Sequence, residues 1–502
     1  MSYIIYRGTW DCFPAEIRCM ILDILLQDSC SLAGLATVSR EWQDIIERDN
    51  FARIKLTPSR LADFGSIVYR NRAFVRYIWL CLELQEYNCP ECEPWDWESR
   101  GFSNPDNTLI VKGLQNVFSA LRTWEPNGSL VLDISVHSPS DSEHWFKYLT
   151  FGPDAPLHAY DRNPSVWQTI PDDDYQHGWV DGAPRHIITD RAIHKVFEDV
   201  MDQGPFRNDE QENRWWQELP EIPAVTGIYL RQQNRRRWKP AALKQLFARF
   251  PRLQEIHYEP WRQWDDFHQE LTDKAYQSLF ESLASVDLRK LVLFENFNQY
   301  YPATTACEPI RTPTATVGKA IAAASRRLEH LSASFIIDAS HFFDACKPFW
   351  KWPNLTTLVL TSQLFTPDES PTRIADMLQA AAAVAMKMPK LRTMEIWNGR
   401  RGLAMLFRYQ LISSGQRTVI TWKGTWNLAL ELPVIRAWEA VALEKCGREP
   451  ANVMELLDGD TVIRSHGDAI VHLQLSTLVM RPISLQQIQI EHKTREGLYF
   501  YR

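Results

Sequence analysis

Two cysteines near residue 90 have the spacing of half a zinc site. Cys89 and Cys92 stand in the stretch CPEC, and Cys81 lies a little before them. Tetrahedral zinc takes four protein ligands, and such sites commonly add a second pair with the same spacing. The next cysteine is Cys307. The sequence therefore favours reduced thiols in a loop over a zinc site, and we expect no bound metal.

An acidic loop offers residue types that bind divalent metals. The stretch DDDYQHGW and the residues after it supply carboxylates and imidazoles, namely Asp172, Asp173, Asp174, His177, His186 and His194. Such ligands suit several divalent metals. Because no fixed spacing relates them, a solvated acidic loop is the favoured alternative. The surrounding residues 150–185 are rich in Pro, Gly and Asp, which is typical of a functional or mobile insertion.

A run of basic residues, RQQNRRRWK, is the best candidate for recognising an acidic partner. Arginine side chains bind carboxylates and phosphates through two parallel hydrogen bonds. The candidate substrate-binding residues are Arg235, Arg236, Arg237, Trp238 and Lys239. The alternative is a solvated loop with no binding role.

The common catalytic and nucleotide-binding motifs are missing from the sequence. It contains no GxGxxG, GxSxG or HExxH, no HxE with PCxxC, and the GK of TVGKA lacks the Ser or Thr that follows in a phosphate loop. We expect no catalytic residue and no cofactor. The remaining enzyme alternative is a hydrolase or metal enzyme with an unrecognised site at residues 150–195.

Composition limits the partners and the compartment. A net charge of −7 over 502 residues argues against a dedicated nucleic-acid binder. The N-terminus lacks the features of a secretory signal, and no window approaches the roughly 18 apolar residues of a membrane span. Nine irregularly spaced cysteines favour reduced thiols, and therefore the cytoplasm or nucleus. Because no long apolar window is present, we expect no membrane association. The 20 tryptophans cluster, as in NRWWQELP and EPWRQWDDF, and both core packing and surface recognition remain open for them.

Short strands alternating with helices are predicted from about residue 60 onward. Five stretches share the pattern L-x-x-(L/I/M)-x-(L/I/Y/A), beginning at Leu253, Leu288, Leu328, Leu355 and Leu391. Weaker candidates begin at Val75, Ser129 and Val225. Apolar side chains two apart suit a strand with one buried face. The units are irregular and mostly longer than the roughly 20–29 residues of leucine-rich repeats, so we expect an irregular solenoid that is only similar to that class.

Residues 12–50 are predicted to be helical, with an apolar surface that a hairpin cannot bury alone. On a helix, Ile17–Leu26 is apolar around much of its circumference. Either a partner protein or the following domain must cover part of it.

The N-terminal residues also match a family pattern of a Phe-Pro start, an apolar helix and a V-S-R-x-W-x-x-I helix. The matching residues are Phe13, Pro14, Ile17, Ile21, Leu25, Leu32, Leu35, Ala36, Val38, Ser39, Arg40, Trp42, Ile45 and Ile46. Over residues 11–55 this pattern resembles the F-box, with Phe13 where leucine is usual. The region after residue 60 is similar to the C-terminal regions of fungal F-box proteins.

The resemblance implies a three-helix unit that binds a Skp-type adaptor and, through it, a cullin–RING ubiquitin ligase. The adaptor contacts it implies are Phe13, Pro14, Ile17, Ile21, Leu25, Leu35, Val38 and Trp42. The chain would then be a non-catalytic substrate-recognition subunit, holding an unknown protein substrate on the concave strand face or in the loops after it. A non-degradative F-box scaffold is the alternative, and an unrecognised enzyme is a distant third.

The predicted fold class is α/β, divided into three regions. An all-α F-box domain spans residues 8–58, a leucine-rich-repeat-like α/β solenoid spans 59–410, and a capping region spans 411–502.

Overall fold

The protein has a mixed α/β fold built around one large open sheet. A computed structural model describes residues 10–27, 32–96, 101–154, 173–202, 204–303, 307–412 and 417–497. The mixed α/β class agrees with the sequence-based expectation at this coarse level. Two two-stranded ladders, Trp179–Val180 with Ala183–Pro184 and Asp199–Val200 with Arg237–Trp238, lie outside the large sheet.

Twelve strands form the large sheet and lie side by side in chain order. They are β1 (Arg53–Leu56), β2 (Tyr77–Glu83), β3 (Val131–His137), β4 (Gly227–Leu230), β5 (Glu255–Tyr258), β6 (Lys290–Phe294), β7 (His330–Ser334), β8 (Thr357–Thr361), β9 (Thr393–Arg400), β10 (Leu403–Ile412), β11 (Arg417–Gly424) and β12 (Ala451–Leu456). Neighbours from β1 to β9 are parallel, β9 to β11 form an antiparallel meander, and β11 pairs with β12 in parallel.

The leucine pattern predicted the strands. Each of the five strong units forms a strand that begins two residues after its leading leucine. Those first strand residues are paired across the sheet, as in His330 with Lys290 on one side and Thr357 on the other. The leading leucines are all buried. The three weaker candidates form β2, β3 and β4.

Fourteen α-helices occur in the described residues. They are α1 (Ala15–Gln27), α2 (Arg40–Ala52), α3 (Pro58–Val68), α4 (Asn104–Leu121), α5 (Asp190–Val196), α6 (Asp209–Glu218), α7 (Pro240–Ala248), α8 (Asp266–Leu283), α9 (Ala315–Ala324), α10 (Ala339–Asp344), α11 (Pro371–Ala385), α12 (Leu432–Cys446), α13 (His466–Leu473) and α14 (Pro482–Arg495). Within these ranges, no helix combines the length and the apolarity needed to cross a membrane.

The two faces of the sheet are covered by different helices. Side chains at alternate strand positions, such as Leu358 and Leu360 of β8, join α3, α4 and α6–α12 in the main core. Val359 points to the other face, where it clusters with Ala469 of α13 and Ile488 of α14. The C-terminal helices therefore cover part of the face that the sequence suggested for substrate.

Most tryptophans of the predicted clusters belong to the core. Trp215, Trp216, Trp261 and Trp264 are buried, whereas Trp95 is exposed. Aromatic burial rather than surface recognition thus accounts for the first four.

The histidine that ends β3 makes stability depend on pH. The His137 ring is buried and stacks on Phe151 at 3.9 Å between ring centroids. Burial lowers the pKa of His137 from 6.5 to about 4. As the pH falls, the unfolded chain binds this proton before the folded chain does. The contribution of the neutral imidazole to stability is therefore complete above pH 6.5 and is lost as the pH falls through about 4.

We expect His137→Gln to remove that dependence. Between these two pKa values, each decrease of one pH unit should lower the free energy of unfolding of the wild type, relative to that of the variant, by about 1.4 kcal/mol. Urea unfolding of both proteins at a series of pH values measures this difference directly. A difference that stays constant with pH would show that His137 is not held neutral.

Candidate adaptor-binding surface

The N-terminal helices form a hairpin with its own polar ties. Ser39 caps α2, where its hydroxyl accepts a hydrogen bond from the Trp42 N–H at 3.3 Å. Arg18, the charged residue in the apolar sector of α1, donates to Glu41 of α2 at 3.0 Å. The Trp10 indole also donates to Glu41, at 2.9 Å. These two hydrogen bonds hold the pKa of Glu41 below its ordinary value, so the carboxylate stays charged and links the two helices.

The hairpin also buries a small core. Leu22 of α1 and Ile46 of α2 are each only 1% exposed. Arg18, Leu22 and Leu26 therefore mark the side of α1 that faces inward, in agreement with their partial or full burial. The opposite side of the helix is not used for this packing.

An apolar stripe runs along that outer side. Phe13 is 44% exposed, and on α1 the exposed fractions are 40% for Ile17, 59% for Met20 and 56% for Ile24. At 100° per residue the three helical members lie within about 60° of one another. We call Phe13, Ile17, Met20 and Ile24 the apolar stripe. Val38, 60% exposed, is a further exposed apolar residue of the hairpin.

The eight predicted adaptor contacts divide into two groups. Phe13, Pro14, Ile17 and Val38 are exposed, whereas Ile21, Leu25, Leu35 and Trp42 are half-buried in the hairpin. The Trp42 ring packs against Trp10 at 5.0 Å. The prediction did not include Met20 and Ile24, although their helical spacing from Ile17 was a readable signal.

The hairpin is connected directly to the sheet. Helix α2 runs directly into β1, which pairs with β2 although the predicted F-box domain includes it. Glu47 of α2 accepts hydrogen bonds from Arg70 at 2.6 Å and from Gln43 at 2.8 Å. The hairpin and the first strand of the sheet are therefore joined without an intervening loop.

The predicted basic patch lies inside the protein, which corrects the expectation of an exposed recognition run. Arg235, Arg236, Arg237 and Trp238 are buried, and Lys239 is half-buried. Each buried arginine pairs with an acid from another segment, and these pairs are Arg235–Glu491, Arg236–Asp141 and Arg237–Asp199. Lys239 pairs with Asp209 and Glu212. Because these charges are neutralised internally, they are unavailable to a partner.

A cavity opens where β6 to β9 end. It has a volume of about 250 Å³ and is lined by residues that include Arg262, Glu295, Phe335, Asp338, Asn398 and Arg400. It lies in the loops after the strands, one of the two places suggested for substrate. Because the strands are parallel, their carboxyl ends meet at this edge, which is where open α/β sheets commonly bind ligands.

One arginine of this cavity has spare hydrogen-bonding capacity. Arg262 is buried, and its Nη1 donates to the Glu308 carbonyl at 2.7 Å. Its Nη2 has no hydrogen-bond partner within the described ranges. Burial lowers the pKa of Arg262 below its ordinary value, although an arginine remains charged at neutral pH. A buried guanidinium with an open donor favours an acidic ligand.

The residues considered for metal binding are only partly brought together. Cys89 and Cys92 lie beside His177 of the acidic loop and beside His144, which the sequence did not single out. Among the other candidates, Cys81 packs with Tyr77 and Trp79, and His194 pairs with Asp190 at 3.1 Å. Asp172 lies outside the described residues.

Comparison with known proteins gives one family match. Residues 282–481 match the model of DUF6546, a family of unknown function, and this range includes β6 to β12 and α13. The match covers 200 of the 502 residues and excludes the hairpin. No curated protein matches the chain.

Proposed function

We propose that this protein is an F-box substrate receptor of a Skp–cullin–RING ubiquitin ligase. The observation that carries the proposal is the apolar stripe, which lies exposed on a hairpin that already has a buried core of Leu22 and Ile46. A helix face of this kind is typical of a surface that docks into an apolar groove on a partner. The resemblance of residues 11–55 to the F-box favours a Skp-type adaptor as that partner.

The size of the stripe supports a partner rather than incidental exposure. Complete burial of one large aliphatic side chain is worth about 1.5–3 kcal/mol. Exposed apolar residues are ordinary when they occur singly, whereas a contiguous set indicates an interaction surface. Phe13, Ile17, Met20 and Ile24 form such a set.

The sheet supports the second half of the proposal, an irregular leucine-rich-repeat-like array that holds substrate. Its strands follow chain order, and each leading leucine occupies the same place relative to its strand. Stacked units of this kind produce extended binding surfaces. The ligase function then requires no chemistry in this chain, because holding the substrate near the ubiquitin carrier raises its effective concentration.

The cavity at the ends of β6 to β9 is the proposed substrate contact. The open donor of Arg262 and the nearby Arg400 favour a protein segment that inserts an acidic side chain. Glu295 is already paired with Arg311, whose Nη2 donates a hydrogen bond to the Oε1 of Glu295 at 2.8 Å. That carboxylate therefore does not satisfy Arg262, and an acidic side chain from the substrate would.

We expect Arg400→Glu to weaken substrate capture by roughly tenfold, equivalent to about 1.4 kcal/mol. The half-buried Arg400 lines the cavity, so the change places a repelling charge at the contact. Arg401→Glu is the matched control, since Arg401 is exposed and outside the lining. Proximity labelling in cells, with proteasome inhibition, measures both. Equal capture by the two variants would remove the cavity from the proposal.

Binding of the purified full chain to a purified Skp-type adaptor tests the ligase assignment. We expect a stable one-to-one complex that also assembles with the cullin–RING module. Failure of the well-folded chain to bind would refute the assignment. A complex that assembles but never promotes ubiquitin transfer to captured proteins would instead favour the non-degradative scaffold.

A further inference from the structure

Four potential metal ligands from three separate segments converge at one point beside the sheet. Cys89 and Cys92 lie on a short 3-10 turn after β2, His144 follows β3, and His177 lies in the acidic loop. One ligand atom from each residue, sulfur or ring nitrogen, lies within 4.8 Å of all the others. We propose that these residues bind one structural zinc ion.

The second ring nitrogen of His177 lies close to the sulfur atoms of both cysteines. Its Nε2 lies 3.4 Å from the sulfur of Cys89 and 3.5 Å from the sulfur of Cys92. With the ring proton on Nδ1, Nε2 offers a single lone pair, and only one thiol could donate to it. A cation bound between two thiolates and that lone pair would use all three groups.

The tautomer required for metal binding is the one that the surroundings favour. The Nδ1 of His177 lies 2.7 Å from the carboxylate of Asp174. That carboxylate also pairs with Lys147 at 2.7 Å. Because an ionised carboxylate only accepts hydrogen bonds, it favours the tautomer in which Nδ1 carries the proton and donates to it. Carboxylate–histidine–metal arrangements of this kind are usual in zinc sites, where they orient the ring and raise its basicity.

The fourth ligand is also available. The Nε2 of His144 is buried and has no hydrogen-bond partner in the part of the chain that the structure describes. The His144 side chain hydrogen-bonds the backbone of Tyr87, which orients the ring, and its centroid lies 4.9 Å from that of His177. The Nε2 atom of His144 therefore offers an unused lone pair next to three other potential ligands, and an ion bound there would satisfy it.

Geometry and ligand type favour zinc. Zinc–sulfur and zinc–nitrogen bonds of about 2.3 and 2.0–2.1 Å require tetrahedral edges of roughly 3.3–3.8 Å. The two measured sulfur–nitrogen distances, 3.4 and 3.5 Å, fall in that range. Two sulfur and two nitrogen ligands are typical of tetrahedral zinc. Four protein ligands leave no open coordination position, so the ion would be structural.

The ion would join segments that are distant in sequence. Cys89 and Cys92 are 88 and 85 residues from His177. Zinc would therefore tie the loop after β2 to the long segment between β3 and β4, next to the aromatic cluster of Trp145, Phe146 and Trp179. This site is independent of the apolar stripe, and either proposal stands if the other fails.

The first test is metal analysis of the full chain, purified with reduced thiols in the presence of zinc. We expect about one zinc per chain, with an X-ray absorption spectrum of two sulfur and two nitrogen ligands. Cobalt(II) in place of zinc should show the visible absorption of a tetrahedral thiolate site. A chain that binds no zinc, or binds it without sulfur ligands, would overturn the proposal.

Substitutions provide the second test. Cys92→Ser should abolish stoichiometric zinc binding, whereas Cys446→Ser should keep it, because Cys446 lies outside the cluster and donates to the Ala442 carbonyl as serine can. Asp174→Asn keeps the four ligands but removes the carboxylate, and should lower zinc affinity by roughly 10–100-fold in chelator competition. Full zinc retention in Cys92→Ser, or equal zinc loss in Cys446→Ser, would contradict the assignment.

Discussion

Replacing Glu491 with glutamine is expected to lower the free energy of unfolding by about 3–5 kcal/mol. Arg235 and Glu491 pair at 2.5 Å, and their side chains are 0% and 2% exposed. Burial opposes the charge on Glu491, but Arg235, His492 and the hydrogen bond from Tyr301 together keep the pKa of Glu491 below its ordinary value. In the variant, the charge of Arg235 remains buried without its counter-ion.

The neighbours of Glu491 make glutamine the appropriate replacement. The carboxylate also accepts hydrogen bonds from Tyr301, at 2.5 Å, and from Asn298. Glutamine retains a carbonyl oxygen for these donors, while its amide group replaces the oxygen that accepts from Arg235, so the measured loss reports the broken ion pair. This pair joins α14 to the segment after β4, and we therefore expect the C-terminal helix to loosen first.

Two further variants show whether the loss of stability comes from the buried Arg235–Glu491 ion pair. Arg235→Met combined with Glu491→Gln removes both charges, and should recover most of the loss. Glu210→Gln breaks the exposed Arg214–Glu210 pair of α6 and should cost no more than about 0.5 kcal/mol. Urea unfolding followed by tryptophan fluorescence measures all of them. A loss below about 1 kcal/mol in Glu491→Gln would mean that water reaches Arg235.

The strands were predictable because their signal is local. Side chains two apart determine which face a strand buries, and the leading leucine fixes where each unit begins. In the structure, the paired strands β5 to β9 all begin two residues after the leading leucine of their unit. The C-terminal helices on the second face were not predictable in this way, since no local pattern indicates where α13 and α14 pack.

The buried arginines were misinterpreted because their partners are far away in sequence. Arg237 lies 38 residues from its acid, Arg236 95 residues and Arg235 256 residues. A run of arginines with no acidic residue nearby in sequence is typical of a surface patch. The carboxylates that neutralise these arginines come close to them only in the folded chain. The proposed zinc site escaped prediction for the same reason, because CPEC supplied two ligands and the distant histidines were considered separately or not at all.

The resemblance to the F-box indicated the region of the docking surface but not its detailed orientation. An apolar sector wider than the hairpin can bury was evident from residues 17–26. Which half becomes the internal core depends on the rotation of α1 against α2. In the structure Leu22 and Ile46 are buried, Met20 and Ile24 are exposed, and Ile21 and Leu25 are half-buried.

The outward orientation of the apolar stripe provides the most direct test of adaptor binding. Ile17→Glu combined with Ile24→Lys should weaken adaptor binding by about 100-fold or more, equivalent to about 2.7 kcal/mol. The double variant removes two apolar contacts and places two charges in a desolvated interface, while the net charge of the chain is unchanged. Isothermal titration with the purified adaptor measures the change in affinity.

The free chain should tolerate this double variant. Both side chains are exposed, and substitutions at such positions usually alter stability by no more than about 0.5 kcal/mol. Charges at the half-buried Ile21 and Leu25 would disturb the hairpin itself, so their effects on binding and on folding would be mixed. Circular dichroism and urea unfolding of the stripe variant establish that only binding has changed.

The matched control uses the polar side of the same helix. Glu16 and Asp23 are exposed and lie about 100–120° around α1 from Ile17. Glu16→Gln combined with Asp23→Asn should leave adaptor affinity within about threefold, a change below about 0.7 kcal/mol. If the control weakens binding as much as the stripe variant, the adaptor contacts a different face of α1. If neither variant weakens it, the interface lies elsewhere in the chain, and the stripe loses its place in the proposed function.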